Sequence, residues 1–93
     1  MKLPVKYDTL SPREKKQVRE QYEVQQKFKC CHCGELLNGP PPEKVSRLPI
    51  IAKLFPPGFF DHPVHLHHSH RTGLTIGAVH CKCNAVLWQY ERK

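Results

Sequence analysis

Residues 64–84, VHLHHSHRTGLTIGAVHCKCN, decide how the rest of the chain is read. Val64, Leu66 and His68 alternate with His65, His67 and Ser69, a period of two that marks a strand. Arg71-Thr72-Gly73 supplies a turn, and Leu74, Ile76 and Ala78 alternate with Thr75, Gly77 and Val79 as the returning strand, giving a hairpin over residues 64–80. A His/Cys knuckle follows at 80–83. Asn84 is then placed to cap a final helix over 84–91, whose core face would include Leu87, Trp88 and Tyr90. Four of the chain's seven histidines, at 65, 67, 68 and 70, crowd the first strand and its turn.

Upstream, Phe28-Lys29-Cys30-Cys31-His32-Cys33-Gly34 is a second knuckle: two thiols two residues apart, then a glycine that tolerates a tight turn. Before it, Ser11-Pro12-Arg13-Glu14 reads as a helix start. Ser11 caps, Pro12 takes the first helical position, and Glu14 completes a capping box. The spacing predicts a helix over 12–27, with Val18 and Tyr22 on one face. Residues 1–10 read as an extended lead-in offering Leu3, Val5, Tyr7 and Leu10 for packing. Residues 34–63 are the irregular part. Gly39-Pro40-Pro41-Pro42 excludes helix there, and a short helix fits from about Ile50, before Phe59 and Phe60 pin the loop to the core.

With 93 residues the chain makes one domain with a modest core, which favours a metal or disulfide staple. Five cysteines, an odd number interleaved with histidines, argue for metal ligands over a closed disulfide set. Thiolate sites suit a reducing compartment, and no apolar run is long enough for a signal peptide or a membrane span. The expectation is an intracellular, cytoplasmic protein. The net charge of +7 favours a polyanionic partner, most simply nucleic acid.

Zinc takes four Cys/His ligands, usually as two short-gap pairs. Cys30 and Cys33 form one pair. The other is His80 with Cys83 or Cys81 with Cys83, and the repeated two-residue gap favours His80. Such a site is closed and structural.

The hairpin histidines need another explanation. Adjacent His67 and His68 point to opposite faces of a regular strand, so they do different jobs unless the strand distorts at its end. One coordinates metal, and the other stays neutral as a base.

His67-His68-Ser69-His70, a glycine turn, a second strand, then His80-Cys81-Lys82-Cys83-Asn84 opening a helix, resembles the HNH endonucleases, the ββα-metal or His-Me finger nucleases. The zinc-stapled arrangement is similar to the branch typified by phage recombination endonuclease VII, and small phage-encoded HNH proteins have about this length. The resemblance implies an α+β fold, a small zinc-stapled ββα-metal domain with an N-terminal helix and a long irregular loop. It implies His68 as general base, and His67 as ligand of a catalytic divalent ion (Mg²⁺, Mn²⁺, Ni²⁺ or Co²⁺). Asn84 would bind that ion or orient the site, and His70 would lie near the scissile phosphate. It implies DNA as partner, in a monomer or weak dimer, with packaging proteins such as terminase or portal as further partners of small phage members.

Arg71, Lys82, Arg92 and Lys93 flank these motifs and are candidate phosphate contacts, giving salt-dependent affinity with weak sequence preference. Lys15, Lys16 and Arg19 read instead as a solvated face paired with Glu20 and Glu23. The competing reading is a non-catalytic zinc module that binds nucleic acid or a protein partner.

Overall fold

Ser11-Pro12-Arg13-Glu14 starts a helix for the local reason its chemistry provides. In the computed structural model, which describes residues 2–91, the Glu14 N–H donates to Ser11 Oγ at 3.2 Å and the Ser11 N–H donates to Glu14 Oε1 at 2.9 Å. Helix α1 spans Pro12–Gln25, slightly shorter than the spacing suggests, because Lys27 and Phe28 adopt left-handed backbone with φ of 55° and 61° and turn the chain toward the first knuckle. Val18 and Tyr22 are its buried side chains.

Strands β1 (Val64–His68) and β2 (Thr75–His80) form a two-stranded antiparallel sheet running from Val64↔His80 to His68↔Thr75. Between the pairs His67↔Gly77 and His68↔Thr75 the register shifts and leaves Ile76 over, so the regular alternation fails just where the two histidines stand. At the tip, Ser69 Oγ accepts from the Arg71 and Thr72 N–H groups, both at 3.2 Å, and Gly73 closes the turn with φ +77°. The lead-in lies alongside β2: the Tyr7 N–H donates to Gly73 O and the Thr75 N–H donates to Val5 O, both at 2.9 Å. Thr75 Oγ1 then bonds Tyr22 at 3.0 Å and joins α1 to the sheet.

Gln26, just past α1, pairs its side-chain amide with β2. It accepts from the Ala78 N–H at 2.9 Å and donates to Ala78 O at 2.9 Å, while the Cys31 N–H reaches the same carbonyl at 3.0 Å. The first knuckle is thereby docked on the outer edge of β2. Gly77 permits the approach, since a Cβ there would lie 2.7 Å from Gln26 Oε1 and 3.0 Å from Cys31 Cβ.

The last helix differs from expectation. Helix α3 spans Cys81–Val86 and continues as a π-helical turn over Leu87–Glu91. The flanking residue with extended backbone is His80, without a side-chain cap, so Asn84 is not the cap but a buried residue one turn inside. The second knuckle is itself the first turn of the helix. That shift, with the wider last turn, changes the face expected for the C-terminal aromatics: Leu87 is buried, whereas Trp88 and Tyr90 are 43% and 48% exposed.

The irregular stretch 34–63 contains one helical turn not expected from sequence, and in place of the short helix expected from about Ile50 it has only a 3-10 turn. A single helical turn, α2 (Glu43–Ser46), follows the three prolines with Val45 as its buried anchor, and a 3-10 turn spans Ala52–Leu54. Phe55, Phe59 and Phe60 pack on one another, with ring centroids 4.6 to 5.5 Å apart. Hydrogen bonds from Tyr90 and Gln89 to Pro49 O, at 2.6 and 3.1 Å, strap this stretch to the C-terminal turn. The core is small: Val18, Val79 and Cys83 are its fully buried large side chains, with Ala78 and Ala85 beside them. Among the described residues, no helix is long and apolar enough to cross a membrane.

Candidate functional site

The two knuckles meet. One ligand atom from each of Cys30, Cys33, His80 and Cys83 lies within 4.8 Å of the other three, so this group could hold a structural zinc ion. His80 Nδ1 stands 3.4 Å from Cys33 Sγ and 3.6 Å from Cys83 Sγ. Zn–S near 2.3 Å and Zn–N near 2.0–2.1 Å at tetrahedral angles put an S···N edge at about 3.6 Å, so these two edges match those of a zinc tetrahedron. His80 Nε2 donates to Leu36 O at 2.9 Å, which leaves the Nδ1 lone pair facing the thiols. Cys30 Sγ accepts from the His32 and His80 N–H groups, each at 3.4 Å. A hydrogen bond from Cys83, helped by the backbone donors and opposed by burial, holds the Cys30 thiol down at about 4, while the same bond and burial raise Cys83. Cys81, the alternative ligand, points away and contacts Phe59 O at 3.5 Å.

Beside this cluster is a cleft of about 450 Å³, lined by Tyr7, Lys15, Lys16, Arg19, Leu54, Phe55, Phe59, His62, His65, His67, His68, His70, Asn84 and Trp88, among others. His67 and His68 both line it despite adjacent positions in one strand, as do Val64, His65 and Leu66 ahead of the register shift. His67 is buried and hydrogen-bonded by the Asn84 side chain, and Asn84 Nδ2 lies 3.0 Å from His65 Nδ1, so one amide orients two imidazoles. His68 stacks face to face on Tyr7, ring centroids 3.8 Å apart, and Lys15 Nζ sits 4.2 Å from the other aromatic centroid. His70 lies 4.6 Å from His68 and 4.1 Å from Trp88 by ring centroid.

Burial pushes His65, His67 and His68 below the ordinary imidazole range, and His70 adds repulsion at His67 and His68. All three are neutral at pH 7, the form that can accept a proton or bind a metal. Asn84 follows Cys83 directly on α3, so the second knuckle and the cleft share one helix.

His67, His68, His70 and Asn84 are thus brought together, whereas the suggested phosphate contacts are not. Arg71 is exposed at the hairpin tip, outside the residues lining the cleft. Lys82 Nζ donates to Ser46 O at 3.1 Å, because α3 turns it toward α2. Arg92 and Lys93 lie outside the described residues. The cations that line the cleft are those read as a solvated face, Lys15, Lys16 and Arg19, although Arg19 does form its i,i+4 pair with Glu23 at 3.0 Å. His65, Tyr7 and Trp88 were also not assigned to the site from sequence. The crowding of histidines at 65–70 was a signal for His65, but its partner Asn84 is evident only in the fold. In comparisons with protein-family models, curated proteins and solved structures, nothing matches this chain.

Proposed function

We propose that the chain is a metal-dependent DNA endonuclease of the HNH, or His-Me finger, type that hydrolyses phosphodiester bonds with weak sequence preference. The observation that carries this reading is the convergence of His67, His68 and Asn84 on one cleft walled by Lys15, Lys16 and Arg19, with Asn84 next to a ligand of the Cys₃His cluster.

His68 is the general base. Its neutral imidazole, kept so by burial, takes a proton from the attacking water at pH 7. His67 and Asn84 would hold the catalytic ion. A neutral imidazole nitrogen and an amide oxygen form a mixed donor set, which suits Mn²⁺, Ni²⁺ or Co²⁺ better than Mg²⁺. When bound, such an ion supplies polarisation of the phosphate and stabilisation of the departing oxygen. His65 steadies the site through Asn84, and Lys15 and Lys16 draw the phosphate backbone into the cleft.

The test is conversion of supercoiled plasmid to nicked or linear forms with each of Mg²⁺, Mn²⁺, Ni²⁺ and Co²⁺, in protein carrying one zinc per chain. Metal-dependent nicking is the expected result. DNA binding without cleavage under any of these ions would instead favour a non-catalytic zinc module.

A further inference from the structure

We propose that the cleft receives an unpaired nucleotide, so that the preferred substrate is DNA with exposed single-stranded bases and not an intact duplex. The choice of DNA as polymer rests on the nuclease reading; the preference for unpaired bases rests on the cleft itself. A continuous run of contacts leads from the cationic helix to an aromatic rim: Lys15 on Tyr7 at 4.2 Å, Tyr7 on His68 at 3.8 Å, His68 on His70 at 4.6 Å, and His70 on Trp88 at 4.1 Å. His68 therefore stands between a site for phosphate and a site for a flat apolar ring.

The apolar side is larger than the small core requires. Trp88 is 43% exposed and Leu54 61% exposed, and both line the same cleft as Phe55 and Phe59. A base-paired stack presents phosphates, sugars and base edges, while its ring faces are covered by neighbouring pairs. Aromatic surface is of little use to such a ligand. A cationic groove combined with aromatic side chains is the pattern that binds unpaired strands, with phosphates on the charges and bases on the rings. The size agrees: about 450 Å³ is the scale of a small-molecule pocket, enough for one nucleotide.

Trp88 is the chain's sole tryptophan, so its emission reports on the rim directly. Zinc-loaded protein, with no catalytic divalent ion added, is titrated with oligo-dT and with a blunt hairpin duplex of equal phosphate number at one salt concentration. Oligo-dT should quench Trp88 and bind at least about 10-fold more tightly than the duplex. By anisotropy of labelled DNA, Trp88→Ala should weaken oligo-dT binding by about 5- to 150-fold, and Trp88→Phe should retain most of it. Zinc content and circular dichroism establish that the variants are folded, and Leu54→Ser provides an independent lesion of the same wall, with a smaller loss. Equal or tighter duplex binding, unchanged Trp88 emission, or no binding to oligo-dT would overturn the inference. Cleavage of DNA with duplex preference would overturn it alone, whereas strong oligo-dT preference without cleavage would overturn only the nuclease reading.

Discussion

Replacing Gly77 by alanine drives a methyl group into the seam between β2 and the first knuckle. The new Cβ would sit 2.7 Å from Gln26 Oε1 and 3.0 Å from both Cβ and Sγ of Cys31. Gln26 is a flexible side chain, but it is tied down: it accepts from the Ala78 N–H at 2.9 Å and donates to Lys29 O and Ala78 O at 2.7 and 2.9 Å. Ala78 is fully buried, so moving Gln26 orphans its N–H at a penalty of about 1–3 kcal/mol. Pushing Cys31 aside adds overpacking of about 1–3 kcal/mol. The sum, about 2–6 kcal/mol, is a large part of the roughly 5–15 kcal/mol that holds a domain folded. Circular dichroism of the zinc-loaded variant should show Tm lowered by about 8–48 °C, at roughly 4–8 °C per kcal/mol for this size. Because Cys31 adjoins Cys30, zinc should also pass more readily to a competing chelator. Gln26→Ala in the same chain removes one clash, so the double variant should be less destabilised than the sum of the singles. A Tm drop below about 3 °C, with unchanged zinc retention, would refute this account of how the knuckle is seated.

Cys83→Ser should lose both zinc and nicking activity, since Cys83 is fully buried and adjoins Asn84 on α3; a stable, fully active variant would show the cluster and the cleft to be uncoupled. The nicking rate should be flat from pH 8 to 7 and fall only below about pH 6.5, because burial, and then His70 and His67, lower the His68 pKa; a steep fall between pH 8 and 7 would contradict that direction. The same sign holds for stability: His65, His67 and His68 bind protons more weakly folded than unfolded. Their contribution is therefore complete above about pH 6.5 and is lost as pH drops through the lowered values, so a urea midpoint that rises on acidification would be inconsistent with it. Tyr7→Ala should slow nicking by about 2- to 13-fold and move the acid limb upward, as the ring that shields His68 is lost, while Tyr7→Phe preserves both; equal rates for all three proteins would remove Tyr7 from the site.

What could be read from sequence divides according to the range of the interactions involved. The start of α1 was legible because Ser11, Pro12 and Glu14 satisfy one another within four residues. The hairpin was legible from its period of two, and the Cys₃His cluster from paired gaps that impose chelate geometry. Asn84 misled because asparagine is a good cap, yet the knuckle already turns as helix, and the cap position falls to His80. Once the helix starts earlier and its last turn widens, the phase that would bury Trp88 and Tyr90 is lost. Lys82 shows the limit of proximity in sequence: it is two residues from Asn84 but bonds to Ser46. The opposite error concerns α1. Whether Lys15 and Lys16 face solvent or a cleft depends on how α1 crosses a hairpin about 50 residues away, which no local pattern encodes. Tyr7 on His68 is a contact of the same long-range kind.

The central claim is that His68 serves as the base of a hydrolytic site, and it is tested by the plasmid-nicking rate of His68→Ala against the unaltered protein at equal zinc content and saturating Mn²⁺. A positioned general base contributes about 10²–10⁴-fold, so the rate should fall by that factor while DNA binding and Tm change little. A His68→Ala protein that nicks within about 2-fold of the unaltered rate would contradict the account.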